Sequence, residues 1–245
     1  MQFSPKPRIL WLADVPHWSF HRKGLDYKSK LPHFDVDVGF ALPHCHTRGL
    51  GHLHYQELEK TPYDVVWHQH ESFPQPSQNT LVALTINQYY TLEEIETKRH
   101  LFDRYDGISV NNRRCWENMR AAGYHVEYTP DGYPAHEFYP KVPVQDRPFN
   151  VLFVASKHWL RHKGYDIWRE IGTTPGVGFV EIIADSFNNS RTFHEMNEIY
   201  NSAQVFVCMS ASEGGPCTLQ EAAGCGVVPI STDVGCARDF KNIFV

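Results

Sequence analysis

Short apolar runs recur along this 245-residue chain, and stretches of helical spacing stand between them. That alternation limits the fold more than any other feature. Strands apolar on both faces and separated by helices form parallel sheets covered on both sides. In the first half, Arg8–Ala13, Tyr63–Trp67, Leu81–Ile86, Gly107–Val110 and His125–Tyr128 read as strands, and Asp35–Phe40 (DVDVGF) alternates like a half-exposed one. Thr91–Tyr105 reads as a helix: Thr91 and Glu94 form a capping box, and Leu92, Ile95, Leu101 and Phe102 hold one face. Asn111–Ala122 reads as another, stopped by Gly123. Five prolines between Pro130 and Pro148, with no regular period, then read as a stiff linker. The alternation restarts with strands Val151–Ala155, Phe179–Ala184, Val205–Met209 and Val227–Ser231 and helices Tyr165–Gly172, Thr192–Ser202 and Pro216–Gly224, with Lys241–Val245 as a last strand. The expected organisation is a domain over 1–129, a linker over 130–148 and a second domain over 149–245.

Charge narrows the partners. With 23 Lys+Arg against 28 Asp+Glu the net charge is −5, which argues against nucleic acid, whose phosphates call for a basic stripe. No apolar run approaches the ~18 residues of a membrane span. Met1–Pro7 lacks the apolar core of a secretory leader, so the chain reads as soluble and cytoplasmic, with only peripheral membrane contact open to it. Six cysteines without a C-x-x-C pair read as reduced, mostly buried thiols. Histidine is in excess, at 15 residues. His44-Cys45-His46, His52-x-His54 and His68-x-His70-Glu71 therefore raise a zinc or iron site as a minor alternative to ordinary histidine-bearing loops. Asp35-x-Asp37 alternates with valines and reads as the wet face of a strand, not as a metal-binding pair.

The segment Asn201–Asp233 (NSAQVFVCMSASEGGPCTLQEAAGCGVVPISTD) carries the chemistry. A buried strand ends near Ser210, a loop with Glu213-Gly214-Gly215 follows, and Pro216 opens a helix at the first helical position. Glycines let a ligand approach the backbone, and free N–H groups at a helix start attract an anion. Glu221, more than a turn into that helix, is suited to vicinal hydroxyls such as those of a ribose. Glu213 on the loop is suited to a second polar group of the same ligand. The carboxyl edge of an open parallel sheet is where such ligands bind. Two bland readings stand beside this one: unconnected surface acids, and the paired acids of a glycosidase.

This segment resembles the second half of family 4 glycosyltransferases of the GT-B fold. Glu213 and Glu221 match the family's pair of glutamates, and Gly224-Cys225-Gly226 matches the turn after it. The resemblance extends to FNVLFVASKHWLRHKGYD, to ISVNNRRCWENMRAAGYHVEYTPDGYPAHEFYP and, more weakly, to RILWLADVPHW and YDVVWHQHE. It implies an α/β fold of two Rossmann-like domains in a GT-B arrangement. It also implies retaining transfer of a sugar from a nucleotide-diphosphate donor to a hydroxyl of a glycan, lipid or protein, with no metal and no cofactor beyond the donor. Glu213 is then the catalytic carboxylate. Lys157, Arg161, Lys163, Gly214, Gly215, Pro216 and Glu221 hold the donor, Lys157 standing nearest the family's usual arginine.

The chain also departs from the family. The first loop, Ala13 to Trp18, lacks the usual paired glycines. Asp14, His17 and Trp18 either line the acceptor side there or form a simple turn. Where many members have a histidine after the fourth strand, Asn87 stands instead, and it cannot act as acid or base. His70 is the remaining acceptor-side candidate. The sequence ends at Val245, where family members continue, so the second domain is expected to be incomplete. A non-catalytic binder of nucleotide sugars or glycans, derived from the same fold, is the alternative function.

Overall fold

A computed structural model describes residues 6–14, 19–40, 63–71, 73, 75, 80–184, 191–240 and 243–244. Two compact units result: residues 1–110 with 115–129, and residues 111–114 with 130–245. Each is an α/β unit built on one parallel sheet.

The first unit contains β1 (Arg8–Ala13), α1 (Ser19–Lys30), β2 (Asp35–Phe40), β3 (Val65–His68), β4 (Leu81–Ile86), α2 (Leu92–Thr97), α3 (Arg99–Phe102), β5 (Gly107–Val110) and β6 (Val126–Tyr128). Its strand order is β2-β1-β3-β4-β5-β6, so the direction of winding reverses between β1 and β3. Successive residues of β1 serve opposite faces: Leu10 and Leu12 join one buried cluster, Ile9 and Trp11 another. Burial on both faces is why the strand reads as an unbroken apolar run. The expected helix over 91–105 divides at Lys98, whose backbone leaves the helical region (φ −93°, ψ 6°). The capping box of Thr91 and Glu94 forms as the sequence predicts. α1 has no apolar stripe to announce it. It lies on β1 at Gly24, where any side chain would strike the Trp11 indole, and the Trp11 Nε1–H donates to the Phe20 carbonyl at 2.8 Å.

α4 (Arg113–Ala121) follows Asn111 and Asn112 and ends, as expected, at a left-handed Gly123 (φ 92°).

The second unit contains β7 (Asn150–Ser156), α5 (Tyr165–Ile171), β8 (Gly178–Ala184), α6 (Phe193–Asn201), β9 (Val205–Cys208), α7 (Cys217–Gly224), β10 (Val228–Ser231) and β11 (Ile243–Phe244). Its order is β11-β10-β9-β7-β8, reversing between β7 and β9. Leu152, Phe206 and Cys208 pack on one face with α6 and α7 residues, and Phe153, Val207 and Met209 on the other against Trp168.

The proline-rich stretch, read above as a stiff linker, groups and packs with the second unit. Phe138 is buried in the second unit's core, with its ring against Phe193 and Tyr200. Arg147 is buried too. Its guanidinium donates to the Val142 carbonyl within the stretch and to the carbonyls of Tyr200, Ala203 and Cys225 at and just beyond the C-terminal ends of α6 and α7. A cation at the negative ends of two helices complements both dipoles. Prolines suppress secondary structure here without preventing side chains from packing.

Candidate functional site

The second unit's predicted residues follow the carboxyl ends of β7 and β9. Lys163 lies in the loop after β7, just before Gly164, which begins α5 in the left-handed region (φ 73°). A side chain at Gly164 would run into the Met209 carbonyl, so glycine is what lets this loop lie against the end of β9. The two loops are further tied by Ala211 N–H to the His162 carbonyl (2.9 Å) and by His162 Nε2 to the Ser212 carbonyl (2.5 Å).

Here Lys163 Nζ donates to Glu213 Oε1 in a partly buried salt bridge. Ser210, buried at the end of β9, donates its hydroxyl to the same Oε1 at 2.6 Å. The Asn112 amide donates to the Glu213 carbonyl at 2.5 Å. Glu213 is thus fixed by both backbone and side chain. Ser210, Asn112 and His162 were not signalled by the sequence as site residues. Only the position of Ser210 three residues before Glu213, on a strand end, pointed toward it.

Glu221 lies on α7, half-buried, and its Oε2 accepts from the Tyr200 hydroxyl at 2.8 Å. Tyr200 is fully buried. Burial first, then the adjacent Glu221 carboxylate, hold its hydroxyl far above the ordinary phenol value and so keep it a donor. Pro216 is the residue before the helix, not its first residue, with ψ of 90°. Two glycines also make room for the chain itself. A side chain at Gly215 would meet the Asp131 carboxylate, and one at Gly224 would meet the Tyr133 ring. These notches receive the 130–140 stretch of the chain. Gly214 is buried, its carbonyl close to the left-handed Gly235.

Lys157 and Arg161 are exposed and are not bonded to Glu213 in the way Lys163 is. Arg161 instead lines an open hollow of about 390 Å³ with His158, Trp159, His162 and Ala211.

The first unit holds Asp14, His70 and Asn87; His17 and Trp18 lie outside the described residues, as do the loops with His44, His46, His52 and His54. Asp14 is half-buried just after β1. The Asn87 amide donates to the carbonyl of Thr85 (2.9 Å) and to the backbone and side-chain oxygens of Gln69 (3.2 and 3.3 Å), tying the ends of β4 and β3 together. His68 is wholly buried; its Nδ1 meets the Tyr105 hydroxyl at 3.1 Å. Burial, then the nearby Arg104 charge, push its pKa down to about 4, so it is a neutral core imidazole. His70 Nδ1 stands 3.6 Å from Glu71 Oε2, and Glu71 Oε1 accepts from Lys98 Nζ (2.8 Å) and the Tyr90 hydroxyl (2.6 Å). Burial raises the Glu71 carboxyl, but those two hydrogen bonds outweigh it and leave the net value lowered. Among the described residues no group of three or more His, Cys, Asp or Glu is placed to hold a metal. Asp37 is occupied by Arg8, Lys28 and the Tyr63 hydroxyl.

Residues 187–241 match the model of the family described as glycosyl transferases group 1, a segment that spans Glu213 and Glu221. No curated protein is a significant sequence match to the chain. Solved structures of the same fold include sucrose-phosphate synthase from Thermosynechococcus elongatus (14% identity, TM-score 0.62, covering 98% of this chain and 86% of that one). A lipopolysaccharide outer core galactosyltransferase in its apo form is similar (15% identity, TM-score 0.59, covering 95% and 82%). So is a trehalose-6-phosphate structure from E. coli bound with UDP-2-fluoro glucose (11% identity, TM-score 0.55, covering 78% and 64%). The fold class is that of GT-B glycosyltransferases, two Rossmann-like α/β units in one chain. Among the described residues no helix is long and apolar enough to cross a membrane.

Proposed function

We propose that this chain transfers a sugar from a nucleotide-diphosphate donor to a hydroxyl acceptor, with retention of anomeric configuration. The observation that carries the proposal is the convergence of Lys163 and Ser210 on Glu213, inside the segment that matches the glycosyltransferase model. An ionic and hydroxyl clamp on a loop carboxylate at the switch point of a parallel sheet is suited to holding a polar ligand.

In the proposed reaction the bond between the anomeric carbon and the leaving phosphate oxygen breaks, and its electron pair departs with the nucleoside diphosphate. The acceptor oxygen bonds to the same face of that carbon, and its proton passes to the leaving phosphate. Such a step needs no protein base, which is compatible with Asn87 where a histidine is usual. The growing charge on the phosphates falls to Lys163, Lys157, Arg161 and the backbone amides near Gly214, Gly215 and Pro216. Lys163 has three N–H donors, so it can serve Glu213 and a phosphate together. Glu221 holds the ribose, and Glu213 contacts the transferred sugar. No cofactor besides the donor enters this scheme.

The test is a panel of UDP-, GDP- and ADP-sugars, scored for thermal stabilisation, hydrolysis and transfer. Glu221→Ala is expected to weaken donor binding, and Glu213→Ala to lower turnover mainly. Product anomers read by NMR decide retention. Donors that bind but are never turned over or hydrolysed would make the chain a nucleotide-sugar binder, and the absence of any binding would remove both readings.

A further inference from the structure

Both bonds that fix the Glu213 side chain land on one oxygen. Ser210 Oγ and Lys163 Nζ each donate to Oε1, and neither uses Oε2. A carboxylate whose first oxygen is committed to the protein turns its second in a single direction. Ser210 is able to set that direction because it is itself held. It is buried at the end of β9, and the Thr232 hydroxyl, just beyond β10, donates to the Ser210 carbonyl at 2.7 Å. Thr232 also donates through its backbone N–H to the Cys208 carbonyl at 3.0 Å, so two neighbouring strands fix the hydroxyl-bearing residue. Lys163 reaches Oε1 on a long flexible stem, whereas Ser210 reaches it on a single rotatable bond. The serine therefore supplies the geometry and the lysine the charge.

We infer that Ser210 is the positioning residue of Glu213, aiming Oε2 at the ligand of this site. The inference rests on the sugar-transfer reading above for what the ligand is, though not for the geometry. Ser210 touches no reacting atom in this scheme and acts only through Glu213. A misplacement of about 1 Å in a working group can cost about a hundredfold in rate.

The experiment combines crystal structures with kinetics on the full chain. Ser210→Ala should fold with an unchanged melting temperature and show the Glu213 carboxylate displaced or in several rotamers. With the nucleotide sugar that the panel selects, its kcat should fall about tenfold to a hundredfold while the donor KM stays within about twofold. Ser210→Thr, which keeps the hydroxyl, should recover most of that loss. In a Glu213→Gln background, Ser210→Ala should add no more than about twofold, since the two residues act as one unit. A Glu213 carboxylate that keeps its place in Ser210→Ala would overturn the inference, with or without a known donor. So would independent, multiplying effects of the two substitutions. If instead Glu213→Gln turns over like the wild type, it is the role of Glu213 in sugar transfer that fails, and the crystal structures still decide what Ser210 does.

Discussion

Each unit carries a glutamate on the loop after the strand that follows its winding reversal: Glu71 after β3 and Glu213 after β9. In both, a lysine and a hydroxyl donate to Oε1: Lys98 and Tyr90 in the first unit, Lys163 and Ser210 in the second. The difference lies in the other oxygen and in burial. Glu71 has a side chain only 5% exposed, and its Oε2 faces the neighbouring His70. The Glu213 side chain is 14% exposed, and neither bond of its clamp occupies Oε2. The same ion-pair chemistry thus closes one loop on itself and leaves the other with an oxygen to offer. Local pairing alone does not mark a site; what the pairing leaves over does.

The sharpest way to break this comparison is to remove each carboxylate. Glu213→Gln should lower turnover by about a hundredfold or more, with little change in melting temperature. Glu71→Ala should instead lower stability by about 2–3 kcal/mol in urea unfolding, at or just below the bottom of the range for broken buried pairs because Lys98 keeps some solvent. If both variants lose activity without losing stability, the two loops are not different in kind.

Acid is the next probe. His68 is held neutral in the folded state, so the unfolded chain binds the extra proton between pH 6.5 and about 4. Stability should be full above pH 6.5 and fall as pH drops through that window, by at most about 3 kcal/mol. Glu71, lowered from 4.5, adds a loss below that value as it protonates. Urea midpoints at pH 7 and pH 5 should converge in His68→Phe; an undiminished gap would mean that another group carries the effect. The smallest expected effect is that of Lys157→Ala. Lys157 is exposed on its turn, and its loss should weaken donor binding by only about threefold at moderate salt, measured by titration calorimetry. A loss as large as that of Lys163→Ala would place both lysines on the phosphates equally.

Much of this was readable in the chain. β2, β4 and β5 fall on their expected residues, because period-two burial writes itself into sequence as runs or alternations. The capping box at Thr91 is local and visible, and the structure adds a second one at Thr192. α1 was not visible, because Trp11 and Gly24 make its contact in place of an apolar stripe. Lys163 and Glu213 were visible as residues, but their pairing was not, since they are 50 positions apart. Nor was the occupation of Gly215 and Gly224 by Asp131 and Tyr133, which follows from chain path alone.

The buried guanidinium of Arg147 has a consequence for modular exchange. Anyone exchanging the second unit of this chain for another would be drawn to cut at the last proline, residue 148. That cut would separate Arg147 from the carbonyls of Tyr200, Ala203 and Cys225 and remove Phe138 from the core. A transplantable half begins at Pro130 and still needs a substitute for Asn111–Arg114. The inheritable module is therefore interrupted in sequence, and a single crossover cannot move it whole.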